Sequence, residues 1–153
     1  MQEIIVNAVA GVATGLVTGL YVGLIMAKYN SFCQVRLSIF SICRGISYGG
    51  VNGELKNAEF NRYVEIVDGA CNFLYLGHAK AGEHAIMVYK EIADTKYAIE
   101  FKFKHMAQGK RIPEVNIANI TLDDLSRKHS NWQKRIIELQ PSLISLLSLK
   151  SRL

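Results

Sequence analysis

Hydrophobic and polar positions divide the chain into two unlike parts. Between Glu3 and Lys28 there is no Asp, Glu, Lys, Arg, His or Pro, and Asn7, Thr14 and Thr18 are the only clearly polar side chains. A helix over residues 4–27 rises roughly 36 Å at about 1.5 Å per residue, which covers a hydrocarbon core of about 30 Å with some tilt. The pattern therefore predicts a transmembrane helix within residues 1–29. Threonine is tolerated there because its hydroxyl can bond back to the preceding turn or to a neighbouring helix. A secretory signal peptide is set aside because the start is acidic and positive charge follows the apolar run. A buried core helix is set aside because the uncharged run exceeds what a small soluble domain needs.

Beyond Lys28 the pattern becomes amphipathic. Phe32, Val35, Ile39, Ile42 and Ile46 recur at three- and four-residue steps, which predicts a juxtamembrane helix over residues 30–48; the alternation of Val35, Leu37 and Ile39 leaves a strand open. GGVNG at 49–53 breaks the chain and opens a domain over residues 49–153. Leu55, Phe60, Tyr63, Val64, Val67, Ala70, Cys71 and Leu74 form one helical stripe, and Ala81, Ala85, Val88, Ile92 and Thr95 form another, with Gly77 as the break unless the two are one long helix. At residue 97 the period changes. Ile99, Phe101 and Phe103 alternate with Glu100, Lys102 and Lys104, and Val115 alternates with Ile117, so a short β-hairpin over about 98–120 is expected, with helix as the open alternative. Thr121 can cap a helix whose first turn holds Asp123 and Asp124 and whose apolar face is Leu122, Leu125, His129, Trp132, Ile136 and Leu139, ending near Pro141. The tail SLISLLSLKSRL is amphipathic, suited to a neighbouring subunit or to a membrane surface aided by Lys150 and Arg152. The expected fold is a single-pass transmembrane helix joined to a small helix-rich α+β cytosolic domain with a helical hairpin, a short β-hairpin and a C-terminal helix.

Gly11, Gly15, Gly19 and Gly23 follow one another at four-residue steps, with Asn7 and Ala27 in the same register. That spacing drifts only about 40° per step, so the glycines form one gently winding stripe where another backbone can approach closely. The run resembles the glycine-zipper helices of membrane channels and pore-forming peptides. The resemblance implies self-association, against the plainer reading that glycine is simply common in membrane helices. Val9, Val12, Leu16, Leu20 and Leu24 suit lipid. Thr14 and Thr18 flank the seam, but no charged ring offers ion selectivity, so closed bundle and pore both stay open.

Charge sets the orientation. All 18 basic residues, and every acidic residue except Glu3, lie from Lys28 onward, in a chain of net charge +5. Lys28, Arg36 and Arg44 follow the apolar run, so the positive-inside rule places residues 28–153 in the cytoplasm and the other end outside, with Tyr29 and Phe32 at the interface. Cys33, Cys43 and Cys71 are odd in number and contain no CxxC, as expected of small buried hydrophobes in a reducing compartment.

No catalytic pattern stands out, and neither an enzyme, a cofactor nor a metal is expected. His78 and His84 are six residues apart, whereas zinc pairs on one helix face need three- or four-residue spacing, so both read as packing or surface histidines. GxxxxGK[ST] and GxGxxG are absent, and Asp123–Asp124 is better explained as a helix start. The candidate ligand-binding residues are Lys102, Lys104, His105, Lys110 and Arg111, interleaved with Phe101 and Phe103. On a hairpin such cations neutralise phosphates while an aromatic stacks on a base. The competing readings are a solvated strand face and contact with anionic headgroups. The net positive charge favours an anionic partner weakly, and duplex nucleic acid is not expected.

In layout, one glycine-seamed membrane helix joined to a small domain, the chain resembles the compact membrane effectors of bacterial phage defence, including the cyclic-oligoadenylate-responsive membrane effectors of CRISPR systems. The resemblance implies a homo-oligomer in the bacterial inner membrane. Its cytosolic domain would bind an anionic ligand such as a cyclic nucleotide and rearrange the membrane helices to open a pore or disrupt the bilayer. The alternatives are a non-conducting adaptor that docks a protein partner and a ligand-independent, holin-like toxin.

Overall fold

The computed structural model describes residues 2–108 and 120–148. Its elements are α1 (Gln2–Arg44), β1 (Ser47–Val51), β2 (Glu54–Glu59), α2 (Glu65–Tyr75), α3 (Ala79–Ala107), α4 (Leu122–Ile137) and α5 (Leu143–Leu147).

The apolar run and the amphipathic segment after it are one helix of 43 residues, about 65 Å long. Nothing between Gly23 and Gly45 breaks it, since neither glycine nor proline occurs there. Gly45 then closes the last turn, its N–H reaching the carbonyls of Ser41 (3.0 Å) and Ile42 (3.1 Å). The strand alternative at 33–46 is thereby excluded, and the helix expected over residues 30–48 ends at Arg44 because Ser47 already belongs to β1.

The two halves of α1 have different surroundings. Among described side chains, those before Tyr21 are exposed, and no residue of the most apolar 18-residue window is buried. From Tyr21 onward one face is increasingly covered, ending with Phe32, Ile39, Ile42 and Cys43 in the core. A Cβ at Gly11, Gly15, Gly19 or Gly23 would meet nothing within 4 Å. Counting about 100° per residue, Gly15, Gly19 and Gly23 lie about 130–170° around the helix from the covered line through Tyr21, Leu24 and Lys28. The bare stripe thus faces away from the side that carries the domain. Thr14 Oγ1 bonds back to the Ala10 carbonyl at 2.8 Å, as expected for a hydroxyl on an apolar helix.

A hairpin forms where the sequence pattern had suggested only a chain break. β1 and β2 pair antiparallel, with Val51 opposite Glu54 and an irregularity between Gly49 and Gly50. Asn52 (φ 54°) and Gly53 (φ 79°) make the two-residue loop, and positive φ at both positions matches the right-handed twist of the strands. A Cβ at Gly50 would overlap the Glu54 carbonyl, so this pairing needs glycine. The helix expected from residue 54 begins only at Glu65. Its buried face is Ile66, Gly69, Ala70 and Phe73, while Cys71 and Leu74 of the expected stripe are exposed.

Gly77 (φ 84°) ends α2 as anticipated: its N–H reaches the Leu74 carbonyl, and the His78 N–H reaches that of Phe73. In α3 the expected stripe of Ala81, Ala85, Val88, Ile92 and Thr95 is buried. The helix then continues through residues 98–107, which overturns the first strand of the expected 98–120 hairpin; residues 109–119 lie outside the described residues. The alternation is accommodated because Ile99 and Phe103 extend the inward stripe, while Phe101 lies between Tyr97 and His105 on a second ridge. Ala, Glu, Lys and Met favour this outcome by propensity.

Thr121 caps α4 in a capping box, its hydroxyl accepting from Asp124 N–H (3.1 Å) and the Asp124 carboxylate accepting from Thr121 N–H (3.4 Å). Leu125, Trp132, Ile136 and Leu139 are buried and Leu122 and His129 half-buried, which is the expected face. The core is therefore shared by the second half of α1, the hairpin, α2, α3 and α4. The expected divide between residues 48 and 49 falls within that packing.

Candidate functional site

Two basic residues of α1 each hold the end of another helix. Arg36 donates from Nη1 to the carbonyls of Ile137 (3.3 Å) and Leu139 (3.2 Å), at the C-terminal end of α4 where its dipole favours a cation. Lys28 donates from Nζ to the carbonyls of Ser145 (3.2 Å) and Ser148 (2.5 Å) at the end of α5. Tyr21 reaches the same short helix, its hydroxyl donating to the Leu147 carbonyl at 2.9 Å. In the sequence these cations signalled only orientation. Their structural targets lie more than a hundred positions away, and no local pattern announces them.

Around α5 lie two adjoining grooves. The larger, about 720 Å³, runs between the α2–α3 turn, the end of α4 and α5, with Lys80, His84, Arg135 and Glu138 beside Leu139, Pro141 and Ile144. The smaller, about 460 Å³, lies between α5 and α1 and is lined by Leu24, Lys28, Tyr75 and Ser148. His78 borders both. It is 2% exposed, meets Phe32 edge-on at 4.8 Å, and accepts the Ser142 N–H on Nδ1 at 3.0 Å. Burial first, and then the Lys28 ammonium, pushes the His78 pKa below its ordinary value. His84, by contrast, is a surface residue.

The helix over 98–107 rearranges the candidate cations. Lys102 and Lys104 are about 200° apart on α3 and share no face. Lys102 is half-buried, with Nζ 3.5 Å from the Ile120 carbonyl, and Lys104 is exposed. His105 lies one turn beyond Lys102, its ring 3.9 Å from that of Phe101 and Nδ1 3.0 Å from the Phe101 carbonyl. Lys110 and Arg111 lie outside the described residues. The arrangement brings Lys102 and His105 together and separates Lys104 from them.

Glu91 ties α3 to α4, accepting from Arg135 (2.5 Å) and from the Trp132 indole (3.2 Å). Among the cysteines only Cys43 is fully buried, and burial raises its thiol to about 12; Cys33 is half-buried and Cys71 exposed, and all three are free. Among the described residues no group of three or more His, Cys, Asp or Glu could hold a metal ion.

Comparison with known proteins gives no match: no family model, curated protein or solved structure proves similar to the chain.

Proposed function

We propose that this chain is a single-pass membrane protein that assembles through the bare glycine stripe of α1 and acts as a ligand-responsive membrane effector. The observation that carries the reading is the contrast along α1. Its first half is long, uncharged after Glu3 and uncovered, while its second half contributes to the core of the attached domain. Such a surface is costly in water and suited to lipid. Because the stripe faces away from the domain, several copies can bring their glycines together at a centre with the domains outside. The unbroken helix then couples any rearrangement of the domain to that seam.

In this reading an anionic ligand, of which a cyclic nucleotide is the type suggested by the layout resemblance, binds the domain and favours one arrangement of the assembly over another. Lys102 and His105, which share one side of α3, are the residues proposed to meet it; of the other candidates, Lys104 is on the opposite side of the helix and Lys110 and Arg111 lie outside the described residues. The charge order along the chain favours a cytoplasmic domain.

The test is reconstitution of the full chain in vesicles loaded with a fluorescent dye, followed by addition of cyclic and linear nucleotides. Release that follows one nucleotide, and is lost in a Lys102→Glu variant, supports the effector. Release without any ligand would indicate a self-sufficient toxin. An intact bilayer throughout would favour an adaptor that docks a protein partner.

A further inference from the structure

The geometry points to a second membrane contact, made by α5 and the Tyr75 ring, at the bilayer surface through which α1 passes. This rests on the proposed span of α1. It concerns a different segment, far away in sequence.

Three of the five residues of α5 turn outward: Leu143 is 72% exposed, Ile144 84% and Leu147 52%. Tyr75, at the end of α2, is 56% exposed and borders the groove that Ile144 and Leu24 also line. On a water-soluble surface this cluster would be costly, and on a lipid surface it is the apolar face of an interfacial element. What commits it to lipid is its height along α1. The main chain of α5 is bonded to Tyr21 at Leu147 and to Lys28 at Ser145 and Ser148. Tyr21 and Lys28 bracket the last two turns of the uncharged run, and because that run of roughly 36 Å exceeds a hydrocarbon core of about 30 Å, these turns reach the boundary between acyl chains and headgroups. If α1 crosses a bilayer with that run inside, α5 is held at the level of the headgroups and its leucine side meets the acyl boundary. The inner side of α5 meanwhile stays with the protein, with Leu146 buried and the Ser145 hydroxyl donating to the Leu76 carbonyl at 2.6 Å.

The chain's single tryptophan makes a direct test available. Trp132 is 1% exposed within the domain, so it provides a constant background that lipid quenchers do not reach. Ile144→Trp and Val17→Trp variants of the full chain are placed in phosphatidylcholine–phosphatidylglycerol vesicles brominated at shallow or deep acyl positions. Both sites are exposed, so neither substitution disturbs packing. Ile144→Trp is expected to lose about half of its added fluorescence in shallow-brominated lipid and far less in deep-brominated lipid, in keeping with interfacial burial of about 5–10 Å. Val17→Trp should show the reverse preference, which reports the span. Quenching at position 17 without quenching at 144 overturns the α5 contact and leaves the span standing. A blue-shifted but unquenched signal at 144 would mean that a protein surface covers it, and also overturns the proposal. Absence of quenching at both positions removes the span, and the α5 contact with it.

Discussion

The two halves of α1 share a helix and a largely apolar character, yet they meet opposite environments. Val6, Val9, Val12, Leu16, Val17 and Leu20 are each more than 60% exposed, whereas Phe32 and Ile39 are wholly buried. What separates them is periodic polarity. After Glu3 the first half has only Asn7, Thr14 and Thr18 as clearly polar side chains, and before Tyr21 none of its described faces is covered by a neighbour. The second half sets Gln34, Ser38 and Ser41 outward and gives α2 and α4 a stripe to cover. Hydrophobicity favours taking a segment out of water. Patterning decides whether the rest of the domain can cover it.

The comparison can be broken most severely at Phe32. Phe32→Ala should destabilise the domain by about 3–5 kcal/mol, the usual consequence of emptying an aromatic core site. Val12→Ala, equally apolar but bare, should leave the domain's melting temperature unchanged; thermal unfolding of the full chain in detergent compares them. If both variants melted with wild type, the second half of α1 would not belong to the core. Arg36→Met comes next, at about 1–3 kcal/mol in the same assay, because it removes hydrogen bonds from the Ile137 and Leu139 carbonyls.

A smaller effect is expected from pH. The folded protein holds His78 neutral, its pKa below 6.5, while the unfolded chain takes up a proton near 6.5. The stabilisation is therefore fully present above that value and is lost as pH falls through the folded pKa. The melting temperature should fall on acidification below about pH 6.5, and His78→Gln should weaken this dependence, since the amide oxygen can still accept from Ser142 N–H. An equally steep pH profile in the variant would assign the dependence elsewhere. The sharpest contrast has no expected effect on the domain at all. Gly15→Leu with Gly19→Leu should leave domain melting unchanged while reducing self-association in detergent, measured by light scattering. An unchanged oligomer would move the assembly surface away from the glycine seam.

Much of this architecture was legible in the sequence because it depends on local periodicity. The uncharged run, the stripe from Ala81 to Thr95, the break at Gly77 and the Thr121 cap each follow from neighbours three or four positions away. The misreadings arose where one pattern served two periods. Ile99, Phe101 and Phe103 alternate like a strand, yet they also occupy two ridges of a helix that was already propagating from Ala79. Asn52–Gly53 carried a hairpin signal, but the few apolar residues in SYGGV and ELKNAE concealed the strands on either side. The candidate cations Lys102 and Lys104 share a face only on a strand, and helical geometry separates them. The clamps made by Lys28 and Arg36 were illegible because they join positions brought together only by the complete fold.

The absence of glycine and proline between Gly23 and Gly45 has a mechanical meaning. A helix without a swivel transmits rotation and displacement in fixed proportion, so the angular phase of the glycine seam is locked to that of the domain. One residue inserted between Lys28 and Phe32 would turn the seam by about 100° and lengthen the shaft by about 1.5 Å, whereas four would nearly restore the phase. The segment behaves as a keyed shaft, in which the number of residues, more than their identity, sets which way the seam faces.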